Sequence, residues 1–449
     1  MTRTEKIKYL IIGNSAGGIG AAEAIREVDR KGTITIISDE PYPAYSRPLI
    51  SEHLADGYPL EKMLFRPPGF YEKNDIRTIL GQEVTGLDVA GRTVTLADGG
   101  MVGWEKLLLA TGGVPIFPHM EGSDREGVFT FTTLDDARAI DAFLNRQNGR
   151  RVRSIVIGGG LIGVSVTEAL VKRGAEVTIV EMKDRVLNTI LDEEASALME
   201  SVLKQAGVEI ITDNTVSRIN GYIPGEVAGV TLADGKSLPC ELVVVAIGVQ
   251  PRVELLPGTG IQVNRGIVVD RSIATSVPDV YACGDVAQAY DFVYGENRLS
   301  PIWPNACAGG RVAGFNMAGV PTEYQGGTAM NSMKYFGVSI VSAGMSAQPD
   351  DSCQIITAKQ GNNYKKIVVK DGRIVGMVIS GDIEKSGIIY NLMKEKINVR
   401  DFQELLVADD FGLALLPEEL WRSKLAVPDS LLDLLITSVE QPEEALATE

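Results

Sequence analysis

Histidine and cysteine are scarce in this chain: its 449 residues hold two histidines, His53 and His119, and four cysteines, Cys240, Cys283, Cys307 and Cys353. There is no Cys-x-x-Cys pair and no dense His/Cys cluster, so local spacing offers neither a zinc site nor an iron-sulfur centre, and no metal is expected. Long apolar runs are missing too. No uninterrupted stretch approaches the roughly 18 residues of a membrane-spanning helix. The first apolar run, Tyr9-Leu-Ile-Ile12, passes straight into glycines and not into a cleavage region. A cytoplasmic protein without a membrane span is the expectation. Cations are outnumbered, 43 Lys+Arg against 59 Asp+Glu, and the formal net charge of −16 excludes nucleic acid as the favoured partner.

Glycine is plentiful: 48 residues of a type needed where backbone turns with positive φ or closely approaches a ligand. The length implies two or three domains. Their arrangement shows in an internal echo. Residues 9–27, YLIIGNSAGGIGAAEAIRE, and 154–173, SIVIGGGLIGVSVTEALVKR, each read as a β-branched strand, a glycine turn and a helix opened by small residues. A second strand follows each, Thr33–Ile37 and Glu176–Val180. The hexapeptide VTLADG occurs at 94–99 and again at 230–235, each time ahead of an apolar strand that ends in glycine, LLLATGGVP at 107–115 and LVVVAIGVQP at 242–251. The pattern predicts an α/β fold with two Rossmann-like dinucleotide-binding domains, each a three-layer ββα unit. The first is discontinuous, 1–115 and 252–325; the second is 116–251. A C-terminal α+β interface domain, 326–415, is read from the alternation around Lys365–Gly376 and the hairpin signal Lys370-Asp-Gly-Arg373. An acidic tail, 416–449, closes the chain, with an amphipathic helical pattern at Leu431–Ile436.

Gly13-Asn-Ser-Ala-Gly-Gly18 follows a strand and opens a helix, as a dinucleotide fingerprint requires. Its first glycine, Gly13, makes the tight turn, Ser15 stands where backbone must approach a pyrophosphate, and Ala16, Gly17 and Gly18 open the helix whose amides would hold it. The ribose acid falls to Asp39 or Glu40, just after the second strand. The second copy, Gly158-Gly-Gly-Leu-Ile-Gly163, matches in full, with Gly160 at the approach position, Leu161 and Ile162 in the first helical turn, and Glu181 as the strand-end acid. A carboxylate there accepts two ribose hydroxyls and repels a 2′-phosphate, so NADH is expected over NADPH. Arg185, four residues on, is a cation that would soften this preference. Two dinucleotide sites in one chain point to hydride passing between NADH and a tightly held FAD, which can release electrons one at a time.

These residues resemble the two-dinucleotide flavoprotein family that includes glutathione reductase, coenzyme A disulfide reductase, NADH oxidase, rubredoxin reductase and the FAD/NAD half of nitrite reductase. The resemblance covers roughly residues 8–410. It implies that Gly13–Gly18 hold the FAD pyrophosphate, that Ala110-Thr111-Gly112 is an FAD-associated turn, that Asp285 bonds the ribityl chain, and that Val84 meets the adenine through its backbone. Gly160–Gly163, Glu181 and Gly248 would form the NADH cleft. In thiol-using relatives a redox cysteine lies about ten residues beyond the strand-end acid; counting from Ser38 reaches Pro48, and no cysteine is near. No histidine lies in the C-terminal domain either. Disulfide chemistry is therefore not expected, because a thiolate is its nucleophile.

Tyr45-Ser46-Arg47-Pro48 is similar instead to an element of the rubredoxin-reductase and nitrite-reductase-like branch, which implies that Ser46 and Arg47 contact FAD. Ser165 stands where many relatives carry glutamate, with Glu168 one helical turn on; these two and Arg47 are the flavin-proximal candidates. Trp303-Pro-Asn305-Ala306 is similar to the segment that caps the flavin's pyrimidine edge. Cys283 and Cys307 are read as small packing residues. The expected function is an FAD-dependent NADH:acceptor oxidoreductase passing electrons to an iron-sulfur or rubredoxin-type protein or a companion subunit, as a homodimer or within a heteromeric complex. The alternatives are a hydrogen-peroxide-forming NADH oxidase and a non-catalytic flavoprotein serving assembly or redox sensing.

Overall fold

Four helices frame the two halves of the computed structural model, which describes residues 6–221, 225–347 and 351–425: α1 (Ala16–Val28), α2 (Ile50–Asp56), α3 (Leu161–Lys172) and α4 (Trp303–Met317). In the first half, strands Ile76–Leu80, Ile34–Ser38, Lys6–Ile12, Met101–Leu109 and Val280–Ala282 form a parallel sheet. Their near-continuous apolar runs are what a parallel sheet needs when both faces are covered. A ribbon, Val84–Asp88 against Thr93–Leu96, extends it antiparallel through Met101–Leu109.

The second half repeats the plan. Strands Glu209–Ile211, Glu176–Val180, Arg153–Ile157, Leu242–Val245 and Val128–Phe129 run parallel. Alternation splits their side chains between two cores. Ile155, Ile157, Val243 and Val245 pack with Val216, Ile219 and Val230 of an antiparallel ribbon. Val156, Leu242 and Val244 pack with the helical residues Ile140, Val164, Leu170 and Met199. The result is ribbon, sheet and helices in three layers.

The two VTLADG copies fold identically. Gly99 (φ +85°) and Gly235 (φ +88°) sit at matching turn positions, their amides donating to Leu96 and Leu232 at 2.9 and 3.0 Å. The glycine-ended strands that follow then pair with each other: Gly113–Pro115 lies antiparallel to Val249–Pro251 and forms the ribbon where the chain crosses between halves.

α4 begins at Trp303, three residues before the small-residue pattern at Ala306, because Pro304 occupies its first turn. It packs on α1 through small residues. A Cβ at Gly310 would overlap the Gly17 carbonyl, and one at Gly314 the Ala21 carbonyl, so only glycine lets these backbones come so close. This contact seats the start of α4 beside the first fingerprint turn.

The C-terminal unit is a five-stranded antiparallel sheet in the order Met330–Tyr335, Val338–Gly344, Arg373–Ser380, Asn363–Lys370, Gln354–Gln360. Asp371 and Gly372, both at positive φ, make the expected hairpin turn. Its core continues past residue 415: Leu416 is buried and Leu420, in a helix Glu418–Leu425, packs against it. Packed structure thus enters the segment that composition marked as a tail. The Leu431–Ile436 pattern lies outside the described residues. Among the described residues no helix is long and apolar enough to cross a membrane.

Candidate functional site: two dinucleotide cradles

The first cradle opens where strand Lys6–Ile12 ends. Gly13 has φ +118° and its amide donates to Ile37 at 2.8 Å. A Cβ there would overlap the Ala110 carbonyl, and one on Gly18 would overlap the Gly13 carbonyl, so the turn admits glycine alone at both places. Ser15 is the N-cap of α1 but its side chain bonds none of the helix amides. The first amides of α1, from Ala16 on, are left for an anion.

Several segments converge on this turn. Asp285 follows Gly284 (φ +77°) at the end of strand Val280–Ala282, and its carboxylate takes no hydrogen bond from any described residue. Burial holds this carboxyl above the usual carboxylate range, opposed by the charge of Arg47. A half-buried carboxylate without donors suits the hydroxyls of a ribityl chain, and the residues present therefore fit FAD. The Thr111 hydroxyl donates to the Arg252 carbonyl (3.1 Å), and the Arg252 amide to Gly112 (3.0 Å), so the Ala110-Thr111-Gly112 turn is tied to the crossing ribbon.

Both ribose candidates face arginines. Asp39 pairs with Arg252 at 2.6 Å; burial works against its charge, yet the Arg252 hydrogen bond and charge hold its carboxyl below the usual range. Glu40 pairs with Arg47 and accepts from the Tyr45 hydroxyl at 2.6 Å. Arg47 also donates to the Thr132 carbonyl at 3.0 Å, anchoring the cradle to the second half. Ser46 is held through its amide to Met63 (2.8 Å), and Val84 is buried on the ribbon.

Trp303 meets Phe65 edge-on, with ring centroids 4.9 Å apart. The Asn305 amide donates to the carbonyls of Ser300 and Thr328 at 3.4 and 3.2 Å. The structure thus gives the Asn305 side chain a loop-closing task, and what α4 offers a ligand is its uncapped N-terminal amides.

The second cradle repeats the turn of the first. Gly158 (φ +104°) donates to Val180 at 2.8 Å, and a Cβ on Gly163 would overlap the Gly158 carbonyl. At Gly160 a Cβ would meet nothing within 4 Å: this approach position faces open space, with Leu161 and Ile162 packed behind it. Glu181, 9% exposed, accepts from the Gly159 amide at 2.6 Å and the Lys183 amide at 2.8 Å. Its carboxylate is fixed beside the turn, with lone pairs left for ribose hydroxyls. Arg185 pairs with Asp184 at 2.6 Å and lies 3.9 Å from Glu193, two acids that offset its charge beside the cradle. Gly248 (φ +116°) accepts from the Ile116 amide at 2.9 Å.

The two flavin-proximal candidates on α3 both meet the tip of the C-terminal hairpin. Glu168 accepts from the Phe336 amide at 3.1 Å and pairs with Lys172 at 3.6 Å. It therefore braces the C-terminal sheet, while Ser165 lies beside Tyr335. Sequence reasoning missed Arg252, and it named Tyr45 within its element without giving the hydroxyl a task. Arg252 follows the second glycine-ended strand directly, the one signal that placed it near a cradle. Burial pushes the Cys283 thiol up to about 12 and also raises Cys307, so neither supplies a thiolate near neutral pH.

Two such cradles joined by a crossing ribbon define a two-dinucleotide flavoprotein oxidoreductase. Residues 7–310 match the family described as Pyridine nucleotide-disulphide oxidoreductase, and residues 330–397 match the Rubredoxin NAD+ reductase C-terminal domain. The chain belongs to this family and uses its cofactors, FAD and NADH. Among relatives, the NADH-dependent phenylglyoxylate dehydrogenase subunit epsilon of Aromatoleum evansii is 32% identical over 93% of this chain and 99% of its own length. The nitrite reductase [NAD(P)H] of Bacillus subtilis is 28% identical over 90% of this chain, which spans 49% of that protein. Among solved structures, the ferredoxin reductase for the CYP199A2 system of Rhodopseudomonas palustris superposes with a TM-score of 0.77 at 27% identity, over 83% of this chain and 91% of its own.

Proposed function

We propose that the protein takes hydride from NADH at the second cradle onto FAD held in the first, and passes electrons singly to an iron-sulfur or rubredoxin-type protein. When bound, FAD supplies the conversion from two-electron to one-electron transfer. The chain's own residues bind and orient: α1 amides and Arg47 on the FAD side, Asp285 toward the ribityl chain, and Glu181 and Gly160 on the NADH side. The observation that carries this reading is the segment Tyr45–Pro48. Where thiol-using relatives place their redox cysteine, this chain has Pro48 beside an arginine engaged with Glu40. No cysteine stands near Pro48 in the sequence to take two electrons onward as a thiolate.

The division of labour runs 1–115 with 252–325 for FAD and 116–251 for NADH, supported by the two separate parallel sheets. Residues 326–415 form a third unit. Thiols left out of disulfides fit a reducing compartment such as the cytoplasm. A second reading, that the chain works as a subunit of a larger redox complex, is favoured by its full-length likeness to a protein named as a subunit. Anaerobic stopped-flow reduction by NADH, followed by turnover with rubredoxin, ferredoxin, oxygen or a disulfide, tests the proposal. Fast flavin bleaching and turnover with an iron-sulfur carrier are expected; turnover with a disulfide alone, or with oxygen alone, defeats it.

A further inference from the structure

Among the polar contacts of the C-terminal sheet with the NAD-side half, two sets fall on backbone that shapes the second cradle. At the first, the hairpin from Met330–Tyr335 to Val338–Gly344 reverses through Phe336 and Gly337, both at positive φ. Its tip rests on α3. The Tyr335 hydroxyl donates to the carbonyl of Leu161 at 3.2 Å, and Leu161 is the first residue of α3, whose opening amides face the pyrophosphate position. The Phe336 amide is held by Glu168 two turns on. Burial, reinforced by Glu168 and Glu52, pushes the Tyr335 phenol up to about 12, so it stays a hydrogen-bond donor at neutral pH.

At the second point a lysine is buried. Lys366, 4% exposed in the interior of strand Asn363–Lys370, lies 3.0 Å from the Asp192 carboxylate and donates to the Ser346 carbonyl at 3.0 Å. Asp192 also accepts from the Tyr364 hydroxyl at 2.7 Å and from the Ala195 amide at 3.1 Å, capping the helix Glu193–Gln205. The Ser346 hydroxyl donates to Ile190 at 2.9 Å. The segment gripped here is the one that follows Glu181. Its middle residue, Leu187, is buried with φ +54°, an unfavourable conformation for a leucine, and its amide donates to the Gly159 carbonyl at 2.8 Å. Gly159 is in turn the residue whose amide holds Glu181. A continuous set of bonds runs from the C-terminal sheet through Asp192 and Leu187 to the fingerprint turn and the ribose acid.

We propose that the C-terminal sheet is a positioning element of the NADH cradle: Tyr335 sets the first turn of α3, and the Lys366–Asp192–Tyr364 clasp holds Leu187 against Gly159. NADH affinity is then set partly by a domain outside both dinucleotide folds. This rests on the assignment of the second cradle to NADH.

The test uses the FAD-loaded full chain. Tyr335→Phe removes one hydroxyl and keeps the ring; Asp192→Asn with Lys366→Met removes both charges and keeps a good N-cap. NAD+ binding by calorimetry, NADH-dependent flavin reduction by stopped flow, FAD content, and amide exchange at 161–164 and 187–191 are measured. The expected result for Tyr335→Phe is a dissociation constant for NAD+ raised roughly 3- to 10-fold, the effect of one hydrogen bond. The limiting reduction rate should stay within about twofold, FAD content should stay full, and exchange should quicken at 161–164. The double variant should show the same pattern, with faster exchange at 187–191. Unchanged NAD+ affinity in a folded Tyr335→Phe overturns the inference, as does a loss of FAD in step with NAD+. If the wild-type protein itself bound no NAD+, the assignment of the cradle would fail instead. Should the double variant not fold, Tyr335→Phe decides alone.

Discussion

At the first cradle the acids after the second strand, Asp39 and Glu40, are bound by Arg252 and Arg47, and Asp39 lies 213 positions from its partner. At the second, the Glu181 carboxylate bonds, among the described residues, only the amides of Gly159 and Lys183, its close neighbours in sequence or space. The turns themselves are the same, down to the 2.8 Å bonds from Gly13 to Ile37 and from Gly158 to Val180. What differs is enclosure. The first cradle, the proposed FAD side, is gathered from distant segments: α4 packed on α1, Asp285, the Tyr45–Pro48 element and the crossing ribbon. The second cradle takes its turn and its strand-end acid from one stretch, Gly158 to Lys183, is braced by the C-terminal sheet, and leaves Gly160 open. A resident cofactor can be enclosed by the whole chain, whereas a nucleotide that must leave at every turnover needs a cradle that stays accessible.

The most forceful way to break this comparison is to fill each turn in the same manner. Gly18→Ala and Gly163→Ala both drive a Cβ into a backbone carbonyl that cannot move aside, at a cost of about 1–3 kcal/mol or more. Gly18→Ala should be purified without yellow colour and with lowered thermal stability. Gly163→Ala should keep FAD and lose reduction by NADH while still bleaching with dithionite. Identical phenotypes would mean that the two cradles are not separate sites.

The turns were legible from sequence because each is a short-range pattern: glycines at fixed spacing between a strand and a helix, repeated with the same VTLADG segment behind. The supports were not. Lys365 and Lys366 read alike as charges on an alternating strand, and only the packed sheet shows that Lys366 is buried against Asp192. Nothing in local spacing joins Arg252 to Asp39, which lie 213 positions apart in the chain, or Tyr335 to Leu161, which meet only when the C-terminal sheet docks. Glu168 shows the same limit: helical spacing sets it one turn from Ser165, and only the docked hairpin shows its carboxylate accepting from the Phe336 amide.

Asp285 separates stability from binding on the FAD side. Burial raises its carboxyl above the ordinary value of 3.8 in the folded apoprotein, with Arg47 opposing. A folded-state value above the unfolded one means the folded form binds the proton more tightly, so the penalty is absent below the unfolded value and grows as pH rises through the folded value. Asp285→Asn apoprotein should therefore melt higher than wild type at pH 7, with the difference closing below about pH 4. FAD affinity should move the other way, weakening about 10-fold through loss of a charged acceptor. Thermal melts of apo and loaded protein across pH check both arms. A variant that held FAD as tightly as wild type would remove Asp285 from the cradle.

On the NADH side, Glu181→Ala should raise the NADH KM by about 10-fold, consistent with about 1–2 kcal/mol for hydrogen bonds to a carboxylate. It should also narrow the preference over NADPH, leaving FAD content untouched. Steady-state ratios of kcat/KM for the two nucleotides measure this, and an unchanged ratio would place the ribose elsewhere.

The smallest effect should come from the ion pair that reaches across the ribbon. Arg252 and Asp39 are 34% and 42% exposed at the side chain, so water and salt screen their attraction, and such pairs contribute about 0.2–1 kcal/mol. Arg252→Gln should therefore leave NADH kinetics alone and loosen FAD about two- to fivefold, seen as faster flavin loss during gel filtration. The loss should shrink further in 0.5 M salt, roughly, where the wild-type pair is itself screened. A large effect that salt did not reduce would show that Arg252 grips the cofactor directly. The FAD side would then owe its tightness to charge on the ligand more than to enclosure by the chain.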